Sequence, residues 1–323
     1  MNINLSYNKY CVDGAAGFVG SHLVRELINQ DKQVTGIDNL VVGSLDNIAD
    51  ITNSNFQFIR ADVTDSVKID EIFRDNKFDV VFHQACSKCT VCRKFPLIDL
   101  QTNAYGLLNV AQASINSGVK KFIHASTGST TSIVPSPLNE YGYNYESREE
   151  VPLSFYGVSK LMAEKYLHVL HNYYPQFRYT ILRYFHVYGT HQNSSDTGGV
   201  IPIFIRHILR NEPITIYGTG EQIRYFTTVD DIITANLIAS ETDELDYKIF
   251  DVVSDVKCSI NELAKILGDI ARIGVDIIYE DEKLGDIRKF DTNNNLIKKY
   301  GLKFNNNLED ELRKLVDWYG SKI

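Results

Sequence analysis

Cysteine is scarce: this 323-residue chain holds five, an odd number that does not suit a disulfide framework. That excludes a disulfide-stapled secreted scaffold and points to a reducing compartment. Long apolar runs are lacking too, and none approaches the ~18 residues a membrane-spanning helix needs. The opening MNINLSYNKY is polar, without the charged-then-apolar layout of a signal peptide, so the expectation is a cytoplasmic protein with no membrane partner. Positive charge is in deficit: 33 Lys and Arg face 41 Asp and Glu, a net −8. This disfavours a nucleic-acid surface but is compatible with a local basic pocket. Internal repeats and low-complexity segments are also missing. The length suits one large α/β domain with an appendage, or two domains, with ample core.

What is present is alternation. Short β-rich apolar runs at 9–12, 33–38, 55–62, 79–85, 120–126 and 178–184 are separated by helical patterns near 18–30, 66–75, 97–117 and 155–173. Runs apolar on both faces, interleaved with helices, predict an α/β fold with a doubly wound parallel sheet of Rossmann type. After about residue 186 the alternation weakens and helices dominate. The expected division is therefore a dinucleotide-binding domain over 1–185, with part of 221–253 returning to it, and a smaller, mostly helical substrate domain over 186–323.

The first strand runs into DGAAGFVGSHL, with Gly14, Gly17 and Gly20 three apart. Glycines so placed allow a tight turn, close approach of backbone to a pyrophosphate, and close helix–strand packing, with the helix N-terminus aimed at the phosphate. The second strand ends in Asp38, a carboxylate placed to accept from ribose hydroxyls and to repel a 2′-phosphate, and no arginine lies between Asp38 and Arg60. NAD is favoured over NADP. Asp62 ends the third strand, where it either caps a loop or touches adenine. Further on, SFYGVSKLMAEKYL sets Tyr156 and Lys160 four apart on one helical face. A tyrosine is a poor base until a neighbouring ammonium favours the phenolate. Ser126, Thr127 and Ser129 end the fifth strand, at the sheet edge where such folds bind ligands.

The ordered series GAAGFVGSH, IDNL, ADVTD, VFHQA, the Asn of QTNAYG, HAST, YGVSK, LRYFHVYG, GTGEQIRYFTTVDD and LGDIR resembles the extended short-chain dehydrogenase/reductases. In particular it is similar to nucleotide-sugar epimerases of the UDP-glucose 4-epimerase type. The resemblance spans Tyr10 to Tyr319 and implies an NAD-dependent enzyme. It places NAD on Gly14, Gly17, Phe18, Val19, Gly20, Asp38, Asn39, Leu40, Gly43, Ser44, Asp62 and Val63. Gln84, Ala85, Lys88, Asn103, Ala125, Ser126, Tyr156, Lys160 and Tyr184 complete that set. Tyr156 matches the base, Thr127 its hydroxyl partner, and Lys160 the lysine that tunes the tyrosine. A nucleotide-diphosphate sugar is implied on Lys88, Thr127, Gly128, Ser129, Tyr156, His186, Val200, Arg224 and Arg288, two arginine forks suiting a diphosphate. The implied reaction is transient oxidation at C4 followed by reduction on the opposite face. A 4-dehydrogenase that releases the ketone is the nearest alternative, and a non-catalytic NAD-binding sensor the remaining one. Related 4,6-dehydratases carry an acidic pair after the hydroxyl residue; here Thr127 is followed by Gly128 and Ser129, with no carboxylate until Glu140. Relatives dimerise through helices matching 97–117 and 155–173, which implies a homodimer.

Four features stand apart from the family pattern. Asp13 puts a charge beside the glycine turn, and His186 stands where asparagine is usual. The loop at 128–148 is altered and rich in tyrosine (Tyr141, Tyr143, Tyr145). Cys86, Cys89 and Cys92 in CSKCTVC fit a pocket wall better than a redox pair or a metal site, since no fourth ligand is near.

Overall fold

A computed structural model describes residues 3–87, 92, 94–131, 152–195, 198–283, 287, 290 and 292–322. Strands β1 (Lys9–Asp13), β2 (Gln33–Asp38), β3 (Phe56–Arg60), β4 (Val80–His83), β5 (Lys121–Thr127), β6 (Tyr179–Tyr184) and, much later, β11 (Ile249–Val252) form one seven-stranded sheet. Its order is β11-β6-β5-β4-β1-β2-β3, and every pairing is parallel. The order reverses between β1 and β4, and the crevice beyond their carboxyl ends is where an open sheet of this kind takes ligands.

Helices cover both faces because the strands are apolar on both. On one side α1 (Phe18–Asn29) buries Leu23, Val24 and Leu27 against Val12, Val34 and Phe82. The other side holds α2 (Ser66–Asn76) and the expected 97–117 helix. That helix is α3 (Pro96–Leu100), a π-helical turn (Gln101–Gly106) and α4 (Leu107–Ser117). Beside it lies α5 (Phe155–Tyr173), capped by Ser154, whose hydroxyl accepts from the Gly157 amide at 3.0 Å.

Beyond β6 the chain forms β7 (Val187–Tyr188), α6 (Val200–Leu209), β8 (Ile214–Tyr217), β9 (Ile223–Tyr225), β10 (Thr227–Thr228) and α7 (Val229–Glu241). After β11 come β12 (Lys257–Ser259), α8 (Ile260–Ala271), β13 (Ile277–Glu280), α9 (Asn295–Lys299) and α10 (Leu308–Gly320). A separate core joins α6, α8 and α10 through Phe204, Ile208, Leu263, Leu267, Leu312 and Leu315. Three two-stranded pairings, β7–β10, β8–β13 and β9–β12, lie beside it. At two to four residues each these strands are too short to show a period of two, so the sequence reads there as helical only. Helix α7 packs on the α1 face of the main sheet, contributing Ile232, Ala235 and Leu237 to that core.

Candidate active site

A cleft of about 800 Å³ opens over the carboxyl ends of the strands. Gly17, Phe18, Val19 and Ser44 line one side; Ser126, Thr127 and Tyr156 line the floor; Tyr184, His186 and Val200 line the far side. Ten of the sequence candidates thus share one surface.

The glycine turn is shaped by close approach. Gly14 has φ +66°, and a Cβ on Gly20 would stand 2.1 Å from the Gly14 carbonyl oxygen. Helix α1 consequently begins hard against β1. Its N-cap, Gly17, offers no capping side chain, so the first-turn amides remain for an anion. Asp38 is buried; its Oδ2 accepts from the Ala16 amide at 3.0 Å and its Oδ1 from Leu40 at 2.8 Å. Burial raises its pKa, and those amides oppose the rise. Gly43 packs against the same carboxylate. Asn39 donates to Asp62 at 2.7 Å, and Asp62 also accepts from the Thr64 amide and hydroxyl, so it does cap a loop; the net effect lowers its pKa despite burial. Val63 is buried, accepting from Asn109 through its carbonyl. An uncapped helix N-terminus beside a carboxylate that ends β2 fits the diphosphate and ribose of NAD.

Tyr156 and Lys160 lie one turn apart on α5. Lys160 is 1% exposed, and its Nζ donates to the Ala125 carbonyl at 2.6 Å, tying helix to strand. Burial pushes its ammonium below the ordinary lysine value, while Cys86, Asp13, Glu164 and Asp99 oppose that. Thr127 Oγ1 accepts from the Ser129 amide at 3.2 Å, which leaves its own proton to donate. Gly128 packs beneath the Phe185 ring. Ser126 donates to Glu164 at 2.5 Å, and Glu164 pairs with Arg183 inside the protein.

Asn103 does not line the cleft. The π-helical turn carries it inward, where its Oδ1 accepts from the Ser87 amide and its Nδ2 donates to Ser159 at 2.9 Å and Asp99 at 3.1 Å. This Ser87–Asp99–Asn103–Ser159 network binds the loop after β4 to α5. Asp99, Ser87 and Ser159 carry no sequence signal beyond the four-residue spacing of Asp99 and Asn103. Gln84 accepts from Tyr184 and donates to Asn236, and burial raises the Tyr184 phenol. Ala85 donates its amide to Asp13 at 2.8 Å.

His186 takes φ +35°; burial and then the Arg224 guanidinium push its imidazole down to about 3, so it is a neutral group in the cleft wall. Arg224 is 6% exposed, and its guanidinium lies 5.8 Å from the Phe290 ring. Val200 begins α6. Cys86 lines the cleft and Cys92 is fully buried. Lys88, Cys89, Arg288 and the tyrosines 141, 143 and 145 lie outside the described residues. Residues without an obvious sequence signal, among them His191, Arg206 and Trp318, extend the cleft outward.

The model of the NAD dependent epimerase/dehydratase family matches residues 10–252. A putative UDP-glucose 4-epimerase of Methanocaldococcus jannaschii is 31% identical over 312 residues, 95% of this chain and 97% of that one. The crystal structure of UDP-glucose 4-epimerase with UDP-glucose from Thermotoga maritima is similar at TM-score 0.88 and 32% identity, over 97% of this chain and 99% of that chain. The UDP-N-acetylglucosamine 4-epimerase of Methanobrevibacter ruminantium M1, in complex with UDP-N-acetylmuramic acid, is similar at TM-score 0.88 and 33% identity, over 99% of this chain and 100% of that chain. Sheet order, glycine turn and family match agree: this chain belongs to the NAD-dependent epimerase/dehydratase family.

Proposed function

We propose that the protein is an NAD-dependent nucleotide-sugar 4-epimerase acting on a UDP-hexose or UDP-N-acetylhexosamine. The observation that carries this reading is the convergence, in one cleft, of the uncapped α1 N-terminus, the Thr127–Tyr156 pair and the His186–Val200 wall. NAD bound along Gly17–Val19 and Asp38 supplies the hydride acceptor and donor. Tyr156 takes the proton of the C4 hydroxyl, its phenolate favoured by the Lys160 ammonium, and Thr127 donates to the same oxygen. Once the ketone has turned over, hydride would return to the opposite face of C4 as Tyr156 gives the proton back to the oxygen, which completes inversion. The cleft's volume leaves room for that rotation while the nucleotide stays anchored as a remote handle. Arg224, and Arg288 by resemblance, bind the diphosphate. Residues 1–185 with β11 and α7 form the cofactor half, and the remainder after 186 the sugar-nucleotide half.

Thr127 caps a short 3₁₀ turn, Gly128–Thr130, that carries no carboxylate, which supports epimerisation over dehydration. The test is incubation of purified protein with UDP-glucose, UDP-galactose and their N-acetyl forms. Appearance of the C4 epimer without NADH accumulation is expected; stoichiometric keto sugar would instead identify a dehydrogenase, and no turnover would leave only NAD binding.

The same reading includes a cytoplasmic homodimer. Leu97 and Ile98 from α3, Tyr105 from the π-helical turn that follows it, and Phe155, Val158 and Val169 from α5 are large apolar side chains left exposed on adjacent helices. An apolar face left uncovered on one chain supports dimerisation, in which a second copy would cover it. Cys11 and Cys258 are buried thiols, in keeping with a reducing compartment.

A further inference from the structure

Beneath the cleft a row of polar side chains crosses the middle of the sheet. Asp13 pairs in register with His83, and His83 with His124, on the adjacent strands β1, β4 and β5. All three are 0% exposed. Asp13 Oδ2 lies 2.6 Å from His83 Nδ1, and Asp13 Oδ1 accepts the amides of Gln84 and Ala85 at 2.8 Å each. The His83 and His124 rings stack at 5.3 Å and 20°. Among the described residues, His83 Nε2 and both nitrogens of His124 have no hydrogen-bond partner. Burying a polar nitrogen without a partner is unfavourable, so a sheet interior built for stability alone would carry apolar residues at these positions.

The row ends beside Lys160. His124 precedes Ala125, whose carbonyl is the acceptor for Lys160 Nζ. Lys160 has been withdrawn from water, and something must offset the desolvation of its charge. The groups facing it are Cys86 after β4, Asp13 on β1, Asp99 on α3, His124 on β5 and Glu164 on α5, the last ion-paired with Arg183 of β6. Glu164 is neutralised by that arginine, and Asp99 is engaged by Ser87, Asn103 and Ser159. Among the described residues Asp13 is held by two amides and an imidazole, with no lysine or arginine in hydrogen-bond contact.

We propose that Asp13, His83 and His124 are positioning residues that keep Lys160 a cation beneath Tyr156. Asp13 supplies the negative potential, His83 holds that carboxylate in the row, and His124 sets a neutral, polarisable ring on the residue before the Lys160 acceptor. Burial and Lys160 itself hold the His124 imidazole well below its ordinary pKa, so the ring does not compete for the charge. The unusual charge beside the glycine turn thus serves the lysine rather than the pyrophosphate.

The proposal rests on the epimerase reading only for its kinetic arm. The direct test is a titration of Lys160 in protein carrying ¹³C-labelled lysine, its Cε resonance assigned by its loss in Lys160→Met. Asp13→Asn keeps the shape and the acceptor for both amides but removes the charge. Its Lys160 midpoint should fall by roughly 0.5–1 pH unit, the scale of one charge several ångströms away in a partly screened interior. His124→Leu, which removes the ring, should move the midpoint in the same direction and decides the matter should Asp13→Asn fail to fold. A merely structural row predicts lower melting temperatures with the midpoint unmoved, and that result in the folded variants overturns the proposal. In the kinetic arm, the alkaline limb of turnover on UDP-glucose should move to lower pH by the same amount. Should the wild type fail to turn over while the midpoint still shifts, the epimerase reading fails and the positioning role stands.

Discussion

Tyr156 is the side chain whose loss should be felt in chemistry alone. Tyr156→Phe keeps the ring in its half-buried place, so turnover should fall by about 10²–10⁴-fold with KM little changed, measured by steady-state epimerisation kinetics. The tyrosine and lysine are legible in sequence because one helix supplies both at a fixed spacing. Glu164, four residues further along the same face, repeats that spacing, yet its role depends on Arg183 and Ser126 from two strands. No local pattern announces such partners. Asp13 is the instructive case: next to the glycine turn it reads as a charge set against phosphate, and only the register of β1 with β4 reveals His83 as its neighbour.

At the scale of elements, the strand-turn-helix entry to the cleft tolerates no added methyl at its tightest point. Gly20→Ala would drive a Cβ into the Gly14 carbonyl. The variant should lose NAD affinity by at least about tenfold and several degrees of melting temperature, read by isothermal titration and calorimetry. Six of the seven central strands and the helices around them were readable because each is long and apolar enough to show its period. The π-helical turn at Gln101–Gly106 was not, since a local widening leaves the apolar pattern of 97–117 intact while it redirects Asn103. Helix α7 offers a test of pH. In its first turn Asp231 accepts the Asn305 amide, and burial pushes its carboxyl up to about 6. A raised value means that the fold favours the protonated form; that stability is fully present below the ordinary carboxylate value and is lost as pH rises through about 6. Asp231→Asn mimics the neutral form, so its melting temperature should exceed that of the wild type near pH 8, with the difference vanishing near pH 4, in paired thermal scans.

For the whole molecule, the exposed apolar face of α3 and α5 predicts the assembly. A double variant Leu97→Glu and Val158→Glu, altering residues 71% and 52% exposed, should fold as the wild type does yet sediment as a monomer. A wild type that sediments as a monomer at micromolar concentration would remove the homodimer from the proposal. The sequence reached this face only through resemblance, because apolar residues on a helix read as core until the coordinates show which of them nothing covers. The last strand of the sheet has a temporal meaning. β11 pairs with β6 across more than sixty intervening residues, so a chain emerging from the ribosome carries Thr127, Tyr156 and Lys160 long before that edge is sealed. Until residue 252 appears, β6 is an unpaired parallel border of the kind that invites misassociation. The chemistry is written early, and the right to fold around it is granted late.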